Sequence, residues 1–301
     1  MESFLLSLIG VLCIFNPIHS RSISATPSES DVSYVFYSRD HFDGIFVHIN
    51  DSSVEHIRDV FKDNLPTVVL IHGFKDSFEA DSNTYVRQAI LSKMDANVIK
   101  VDWSPLAGQI YLVAKNAVPY VGAFAANFLS SVSDLFHYSL TNVTLVGFSL
   151  GAHIAGNIGR NTDKPIGLIV ALDPAGPLMS SDVYVKSSDA DYVQSIHTNG
   201  GTLGTLKAVG HSDFYPNGGS KQPGCGTDAV GGCAHNRAWE YFAESLGNNE
   251  FVAQKCESYE GFEQRSCNGE KKLMGGLTKL DKSASGSYYL DTNDQSPYGR
   301  G

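Results

Sequence analysis

The sequence predicts an α/β fold in which a mostly parallel sheet is covered by helices on both faces. Residues 66–71 and 166–172 are apolar almost throughout, and residues 97–103 have the composition of a third buried strand; such strands are typical of parallel sheets. Segments with helical periodicity alternate with them. The chain has 301 residues, 42% of them hydrophobic, so it is long enough to bury one sizeable core.

Periodicity predicts the other elements of the N-terminal half. Residues 31–38 and 44–49 alternate polar and apolar side chains, which indicates an antiparallel pair of edge strands. Residues 82–94 are expected to form a helix. The segment 109–137 is rich in Ala, Val and Phe but contains Pro119, so it predicts two consecutive helices.

The C-terminal half contains a long segment without clear periodicity. Residues 192–198 predict a strand, after which residues 199–232 are crowded with Gly, Pro and Asn. We expect a loop there, and loops of this length are usually functional or disordered. Residues 235–246 return to helical periodicity, and residues 287–290 predict a closing strand.

The pentapeptide GFSLG at 147–151 lies between the apolar run 143–148 and a helical segment with several small residues. A Gly-X-Ser-X-Gly match alone is weak, and a structural turn is the alternative. Between a buried strand and a helix, however, the match predicts a nucleophile elbow, a tight turn that exposes the hydroxyl of Ser149. Amides at the start of the helix would face an anion that forms beside it.

A serine nucleophile needs a histidine base, and the base needs a carboxylate that fixes its tautomer. In α/β-hydrolases these residues follow the serine in the order acid, then histidine. Asp173 is the best acid because it directly follows the strand at 166–172, and active groups gather at the carboxyl ends of parallel strands. Four other aspartates lie in less rigid contexts: Asp182, Asp189, Asp191 and Asp213.

Order and spacing leave three histidines open as the base: His197, His211 and His235. His153 lies about one helical turn after the serine, and we expect it to pack beneath the elbow.

The N-terminus predicts secretion. Residues 4–15 form an apolar run that is too short to span a bilayer but suits a signal peptide. Glu2 stands where a positive charge is usual, and a buried N-terminal strand or helix is the alternative. We expect a signal peptide at 1–20, with cleavage between 20 and 25, and an extracellular protein.

Secretion gives a role to the cysteines. Cys13 would leave with the signal peptide, and an even set of four remains: Cys225, Cys233, Cys256 and Cys267. Three disulfide connectivities are possible. Nearest-neighbour pairing would close two short loops, and a zinc site formed by the first two cysteines and His235 is the alternative.

Charge and sequons restrict the partners further. The net charge is −10 without a cluster of basic residues beyond pairs such as Lys271–Lys272, which argues against nucleic acid, heparin and anionic membranes as partners. Binding to a lipid interface would have to be hydrophobic. Asn50 and Asn142 begin glycosylation sequons, although Asn142 abuts a predicted strand.

Eight motifs occur in an order that resembles the pancreatic lipase family of secreted serine lipases: IHGF, VDW, GFSLGAHIAG, LDPAGP, SIHT, GHSDFYPNGG, QPGC and CAHNRAWEYF. The similarity runs from about residue 34 to 292. It implies an α/β-hydrolase fold with Ser149, Asp173 and His235 as the catalytic triad, and structural roles for His197 and His211. The backbone amides of Phe74 and Leu150 would form the oxyanion hole.

The resemblance leaves the lipid open, and two loops narrow it. Relatives carry a disulfide-closed lid of some twenty-odd residues, whereas Cys225 and Cys233 would enclose only residues 226–232, and the facing loop at 200–210 is also short. Both features resemble the family's phospholipases A1, including those of wasp venom, and certain insect digestive lipases. We hypothesise cleavage of the sn-1 ester of phospholipids; triacylglycerol, galactolipid and a non-catalytic lipid-binding or storage role are the alternatives.

Departures from the family pattern suggest what this protein lacks. Only 66 residues follow His235, so we expect a single lipase domain at 31–292, no C-terminal β-sandwich and no colipase. An acidic cluster that resembles a calcium site in some relatives is mostly missing, with Asp189 near Lys186 and Ser187. We therefore expect no metal and no cofactor. We also expect a second disulfide, between Cys256 and Cys267. The protein is expected to be a monomer that acts on lipid at membrane or micelle interfaces.

Overall fold

A computed structural model describes residues 26–47, 53–278 and 280–301. The expected signal peptide, its cleavage region and Asn50 lie outside these ranges. The strands of the described part form one sheet: β1 (Ser33–Tyr37), β2 (Ile45–Val47), β3 (Thr67–Ile71), β4 (Asn97–Asp102), β5 (Val143–Phe148), β6 (Leu168–Leu172), β7 (Val193–Ile196), β8 (Ser212–Pro216), β9 (Val252–Lys255), β10 (Lys271–Leu273) and β11 (Gly286–Leu290).

Six α-helices occur in the described ranges: α1 (Asp81–Lys93), α2 (Ser104–Ala107), α3 (Tyr111–Phe136), α4 (Leu150–Asn161), α5 (Gly232–Ser245) and α6 (Tyr259–Glu263). Short 3₁₀ turns connect several elements: Glu29–Asp31, Ser53–Ile57, Leu140–Asn142, Ser187–Asp189 and Asn217–Gly219. None of the helices in this part of the chain is long and apolar enough to cross a membrane.

The sheet has a parallel centre and antiparallel edges. Its strand order is β10-β9-β11-β8-β7-β6-β5-β3-β4-β1-β2. The pairs from β4 through β8 to β11 are parallel, whereas β1 and β2 at one edge and β9 and β10 at the other are antiparallel. The predicted fold class is confirmed, because helices cover both faces: the core on one face contains α3 and α4, and the core on the other contains α1 and α5.

The segment around Pro119 differs from the prediction of two helices. Residues Tyr111–Phe136 form one continuous helix with Pro119 inside it. Proline removes one helical hydrogen bond, but this residue is only half-buried, while Ala117, Val118 and Val121 beside it are buried in the core. Burial of that face outweighs the lost hydrogen bond, and α3 packs so closely on α4 that a Cβ on Gly122 would lie 2.4 Å from the Cβ of Asn157.

The region 199–232 also differs from the prediction, because it contains a strand. β8 pairs in parallel with both β7 and β11 inside the sheet. The flanking Gly, Pro and Asn residues hide this five-residue strand in the sequence pattern. Similarly, β11 is not the edge of the sheet, because the short strands β9 and β10 extend it further.

A buried lysine lies on the face covered by α1. Lys100 on β4 is 2% exposed, and its ammonium donates to the Phe78 carbonyl at 2.8 Å and to the Thr84 hydroxyl at 3.3 Å. Burial, together with the neighbouring charge of Arg87, lowers the pKa of Lys100 to about 8. The folded chain therefore holds this proton more weakly than the unfolded chain does.

This difference predicts a pH-dependent stability. Between about pH 8 and pH 10 the unfolded chain binds more protons at Lys100, so the free energy of unfolding should rise with pH by on the order of 1–2 kcal/mol. Denaturant titrations across this range should show the rise in the wild type and in the exposed-lysine control Lys93→Met, but not in Lys100→Met. An equal rise in all three proteins would contradict the prediction.

Candidate active site

The turn between β5 and α4 places Ser149 in a conformation that few residues adopt. Its φ is 57° and its ψ is −120°, which lies outside the ordinary regions for a non-glycine residue. Both glycines of the pentapeptide are needed: a Cβ on Gly147 would lie 2.2 Å from the Gly151 carbonyl oxygen, and a Cβ on Gly151 would lie 2.2 Å from the Ile71 carbonyl oxygen. The backbone thus has the geometry of a nucleophile elbow.

Asp173 follows β6 and is fully buried with its carboxylate satisfied. Oδ1 accepts hydrogen bonds from the amides of Thr198 and Asn199 at 2.8 and 3.0 Å, and Oδ2 accepts from Nδ1 of His235 at 2.5 Å. Gly204 leaves space beside it, since a Cβ there would lie 2.4 Å from the carboxylate oxygens. Three donors fix the orientation of this carboxylate.

His235 lies in the first turn of α5, with its ring 4.5 Å from the ring of Phe148. Because Nδ1 donates to Asp173, Nε2 is the nitrogen left to accept a proton. The hydroxyl of Ser149 makes no hydrogen bond to any residue in the described ranges, although both side chains line one cavity. Catalytic hydrogen bonds are often long without substrate and tighten in the complex.

Two free amides flank the serine. No acceptor in the described part of the chain binds the amide of Leu150, the first residue of α4, or that of Phe74. The loop that carries Phe74 approaches closely, because a Cβ on Gly73 would lie 2.9 Å from the Cβ of Ser149. Amides placed in this way are suited to stabilise an oxyanion.

His72 holds the Phe74 amide in its orientation. Nδ1 of His72 donates to the Gly73 carbonyl at 3.0 Å, because a carbonyl oxygen can only accept. Nε2 contacts the Trp103 amide at 3.1 Å and the Asp102 carboxylate at 3.3 Å, which holds the ring in place. In a trans peptide the carbonyl of one residue and the N–H of the next point in opposite directions. Fixing the Gly73 carbonyl therefore fixes the direction of the Phe74 N–H.

A cavity of about 380 Å³ opens at the serine. Its lining residues are mostly apolar: Phe74, Asp76, Tyr111, Phe148, Ser149, Ala175, Pro177, Leu203, His235 and Asn236. The Tyr111 hydroxyl donates to the Pro177 carbonyl at 2.8 Å and ties α3 to the opposite wall. An apolar cavity with a few polar groups beside a nucleophile suits an acyl chain.

The short loop 226–232, between Cys225 and Cys233, is hydrogen-bonded to α5, the helix that carries His235. Cys225 is bonded to Cys233, and Cys256 to Cys267, so these cysteines hold no zinc. Asp228 accepts hydrogen bonds from the amides of Cys233 and Ala234 at 3.3 and 2.8 Å, which satisfies donors at the start of α5. Among the described residues that line the cavity, none belongs to 226–232.

The structure places the other candidate histidines away from the serine. His197 contacts the Asp213 carboxylate at 2.8 Å, and His211 accepts from the Val193 amide at 3.0 Å. His153 accepts from the Val185 amide at 3.2 Å, so its Nε2 donates to the Ala175 carbonyl at 2.8 Å. Burial lowers the pKa of His153 to about 4, which keeps it neutral.

The remaining aspartates have other environments. Asp182 and Asp191 are exposed, and Asp189 pairs with Arg160, whose Nε and Nη2 bind its two oxygens at 2.9 and 3.0 Å. The same guanidinium donates to the Asp182 carbonyl at 2.7 Å and to the Tyr184 carbonyl. A side-chain cation thus occupies the oxygens around Asp189.

Asp76 is the cavity residue with a carboxyl group, and the sequence argument did not identify it. It follows Phe74 by two positions, and the intervening Lys75 has a φ of 57°, which turns the chain so that Asp76 lines the cavity. The signal in the sequence that could have identified it is its position, since an acidic residue follows the expected oxyanion donor Phe74 by only two residues.

Comparisons with known proteins show which family the chain belongs to. The family model described as Lipase matches residues 17–298. Lipoprotein lipase of Neovison vison is 36% identical over 270 residues, 79% of this chain and 57% of that protein. Pancreatic triacylglycerol lipase of Cavia porcellus is 32% identical over 311 residues, 91% of this chain and 66% of that protein. The chain therefore spans less than two thirds of the length of these relatives.

Among solved structures, MGS-M1, an α/β hydrolase enzyme from a Medee basin deep-sea metagenome library, matches with a TM-score of 0.38 and 14% identity, over 62% of this chain and 69% of that chain. Because the family model matches residues 17–298, the chain belongs to the Lipase family.

Proposed function

We propose that this protein is a secreted serine hydrolase of lipid esters and that it acts as a phospholipase A1, which cleaves the sn-1 acyl ester of phospholipids. Family membership supports the lipid ester hydrolase. The observation that carries the phospholipid part is the short loop 226–232, which caps α5 and lies outside the cavity lining. A site without a large apolar lid leaves room for a polar head group.

The mechanism follows from the positions of the donors and acceptors. Nε2 of His235 removes the proton of Ser149 as the hydroxyl oxygen attacks the ester carbonyl, and Asp173 stabilises the imidazolium that results. The amides of Phe74 and Leu150 donate to the oxyanion. His235 then protonates the leaving alkoxide of the lysolipid, and a water activated by His235 hydrolyses the acyl-enzyme.

A triacylglycerol lipase is the second candidate. It is favoured by the relatives, whose names are lipoprotein lipase and pancreatic triacylglycerol lipase. Galactolipid is a further substrate of the same ester class. The residue composition of loop 226–232, GTDAVGG, argues against efficient adsorption to oil, since Val230 is its only large apolar side chain.

The remaining proposals concern the setting of the enzyme. Two disulfides support an extracellular location, and the exposed Asn142 is a candidate for glycosylation. We expect a monomer that acts at membrane or micelle interfaces without colipase, without nucleic acid and without a cofactor.

Replacing the serine tests catalysis. Ser149→Ala should lower kcat by on the order of 10⁴–10⁶-fold because the acyl-enzyme can no longer form, and Asp173→Asn should lower it by about 10⁴-fold because the tautomer of His235 is lost. Ester hydrolysis and labelling by a serine-directed phosphonate are the measurements, and Ser131→Ala on the exposed side of α3 is the control. If the wild type neither hydrolyses an acyl ester nor reacts with the phosphonate, a lipid-binding or storage role replaces this proposal.

Side-by-side assays on phosphatidylcholine and triolein test the lipid class. The wild type should hydrolyse the phospholipid faster and release 2-acyl lysophospholipid, because the site lacks a long apolar lid. Rapid triolein turnover without hydrolysis of phosphatidylcholine would establish the triacylglycerol alternative.

Treatment with a chelator tests whether the activity requires a metal ion. Because Arg160 occupies the oxygens around Asp189, EDTA should leave kcat/KM unchanged. A calcium-dependent phospholipase A2 assayed in the same buffer controls for effective chelation. Loss of activity with EDTA, restored by added Ca²⁺, would contradict this expectation.

A further inference from the structure

Asp76 places a carboxyl group in the cavity at Ser149. The proposed reaction gives a negative charge at this position no role. Among the described residues that line this cavity, it is the only one with a carboxyl group. It is half-buried, and no cationic side chain in the described ranges pairs with it in a salt bridge. Burial raises the pKa of Asp76, whereas its interactions with His72 and His235 and a hydrogen bond from the Gly73 backbone oppose that rise.

A carboxylate at this position disfavours acyl transfer on a neutral substrate. The oxyanion would form against the Phe74 amide, two residues before Asp76 on the same loop, and like charges repel more strongly in a partly dehydrated cavity. The imidazolium of His235 offsets part of that repulsion, but Asp173 already binds His235 at Nδ1. A cation brought by the substrate would offset the rest.

The adjacent residue carries the opposite charge. Lys75 is exposed, and its ammonium lies 5.6 Å from the ring centroid of Phe74, which lines the cavity. The Lys75 amide donates to the Ala107 carbonyl at 3.0 Å, which anchors the turn that directs residues 75 and 76. A carboxyl group in the cavity lining and an exposed ammonium near the ring of Phe74 therefore belong to consecutive residues of one loop.

We propose that Lys75 and Asp76 form a head-group subsite for zwitterionic phospholipids, in which Lys75 binds the phosphate and Asp76 binds the quaternary or primary ammonium. A phosphate and an ammonium joined by a two-carbon link match two adjacent side chains of opposite charge. The subsite disfavours anionic lipids, because Asp76 repels a head group without an ammonium. This inference rests on the proposed phospholipase activity and specifies which phospholipids that activity accepts.

Mixed micelles of a neutral detergent provide the test, because dilute substrate keeps the surface charge of every micelle low. The substrates are phosphatidylcholine, phosphatidylglycerol and diacylglycerol with identical acyl chains, together with a soluble short-chain ester. The variants are Asp76→Asn and Lys75→Gln. Glu79→Gln is the matched control, because it removes one negative charge from the exposed end of the same loop, outside the cavity lining.

Asp76→Asn should lower kcat/KM on phosphatidylcholine by about tenfold, through loss of a partly buried charge pair, and should raise it on phosphatidylglycerol. The same variant should hydrolyse the soluble neutral ester faster, since a charge that opposes the oxyanion is gone; these opposite signs exclude simple loss of folding. Lys75→Gln should lower kcat/KM on both phospholipids and leave diacylglycerol unchanged. Glu79→Gln should match the wild type.

Two failures are distinguishable. If the wild type cleaves phosphatidylcholine but its preference over phosphatidylglycerol is the same in Asp76→Asn, the subsite is refuted and the phospholipase proposal stands. If the wild type cleaves diacylglycerol and triolein but no phospholipid, both proposals are refuted.

Discussion

The close backbone contact around Ser149 is the constraint on which the site depends. A Cβ on Gly151 would lie 2.2 Å from the Ile71 carbonyl oxygen, so the start of α4 lies directly against the end of β3. That contact places the Leu150 amide and the loop after β3 on the same side of the serine. The strained backbone of Ser149 persists because its neighbours leave no other arrangement. The two free amides and Ser149 are thus positioned together by one packing contact.

The helix that follows the serine also holds the loop that follows the acid. His153, Asn157 and Arg160 lie at helical spacing on α4 and bond to the segment from Ala175 to Asp189. This segment includes Pro177 of the cavity wall and begins two residues after Asp173. The turn at Ser149, the segment after Asp173 and one wall of the cavity are therefore fixed by the same helix. His153 contributes as a neutral hydrogen-bonding group and not as a base, and Arg160 neutralises the buried carboxylate of Asp189.

Local patterns allowed much of the fold and the site to be predicted. Apolar runs located the central strands, and the glycines of the turn located Ser149 because their role is local and steric. Features that depend on contacts between distant parts of the chain could not be predicted from the sequence pattern. Pro119 lies inside α3 because burial against α4 outweighs one hydrogen bond, and β8 was hidden because its pairing partners β7 and β11 lie outside the segment. The position of Asp76 depends on a single left-handed residue, Lys75, which the sequence pattern does not reveal.

The short loop 226–232, closed by the disulfide between Cys225 and Cys233, has a structural role that bears on the proposed substrate specificity. A loop that moves away from an active site must make few contacts with the body of the enzyme, whereas Asp228 of this loop bonds to two amides at the start of α5, the helix that carries His235. Displacing the loop would therefore disturb the position of His235. A loop with this structural role is poorly suited to act as a moving lid. In the proposed phospholipase, discrimination between head groups would therefore depend on fixed residues at the rim, and Asp76, two residues after Phe74, is the one that would respond to the charge of the substrate.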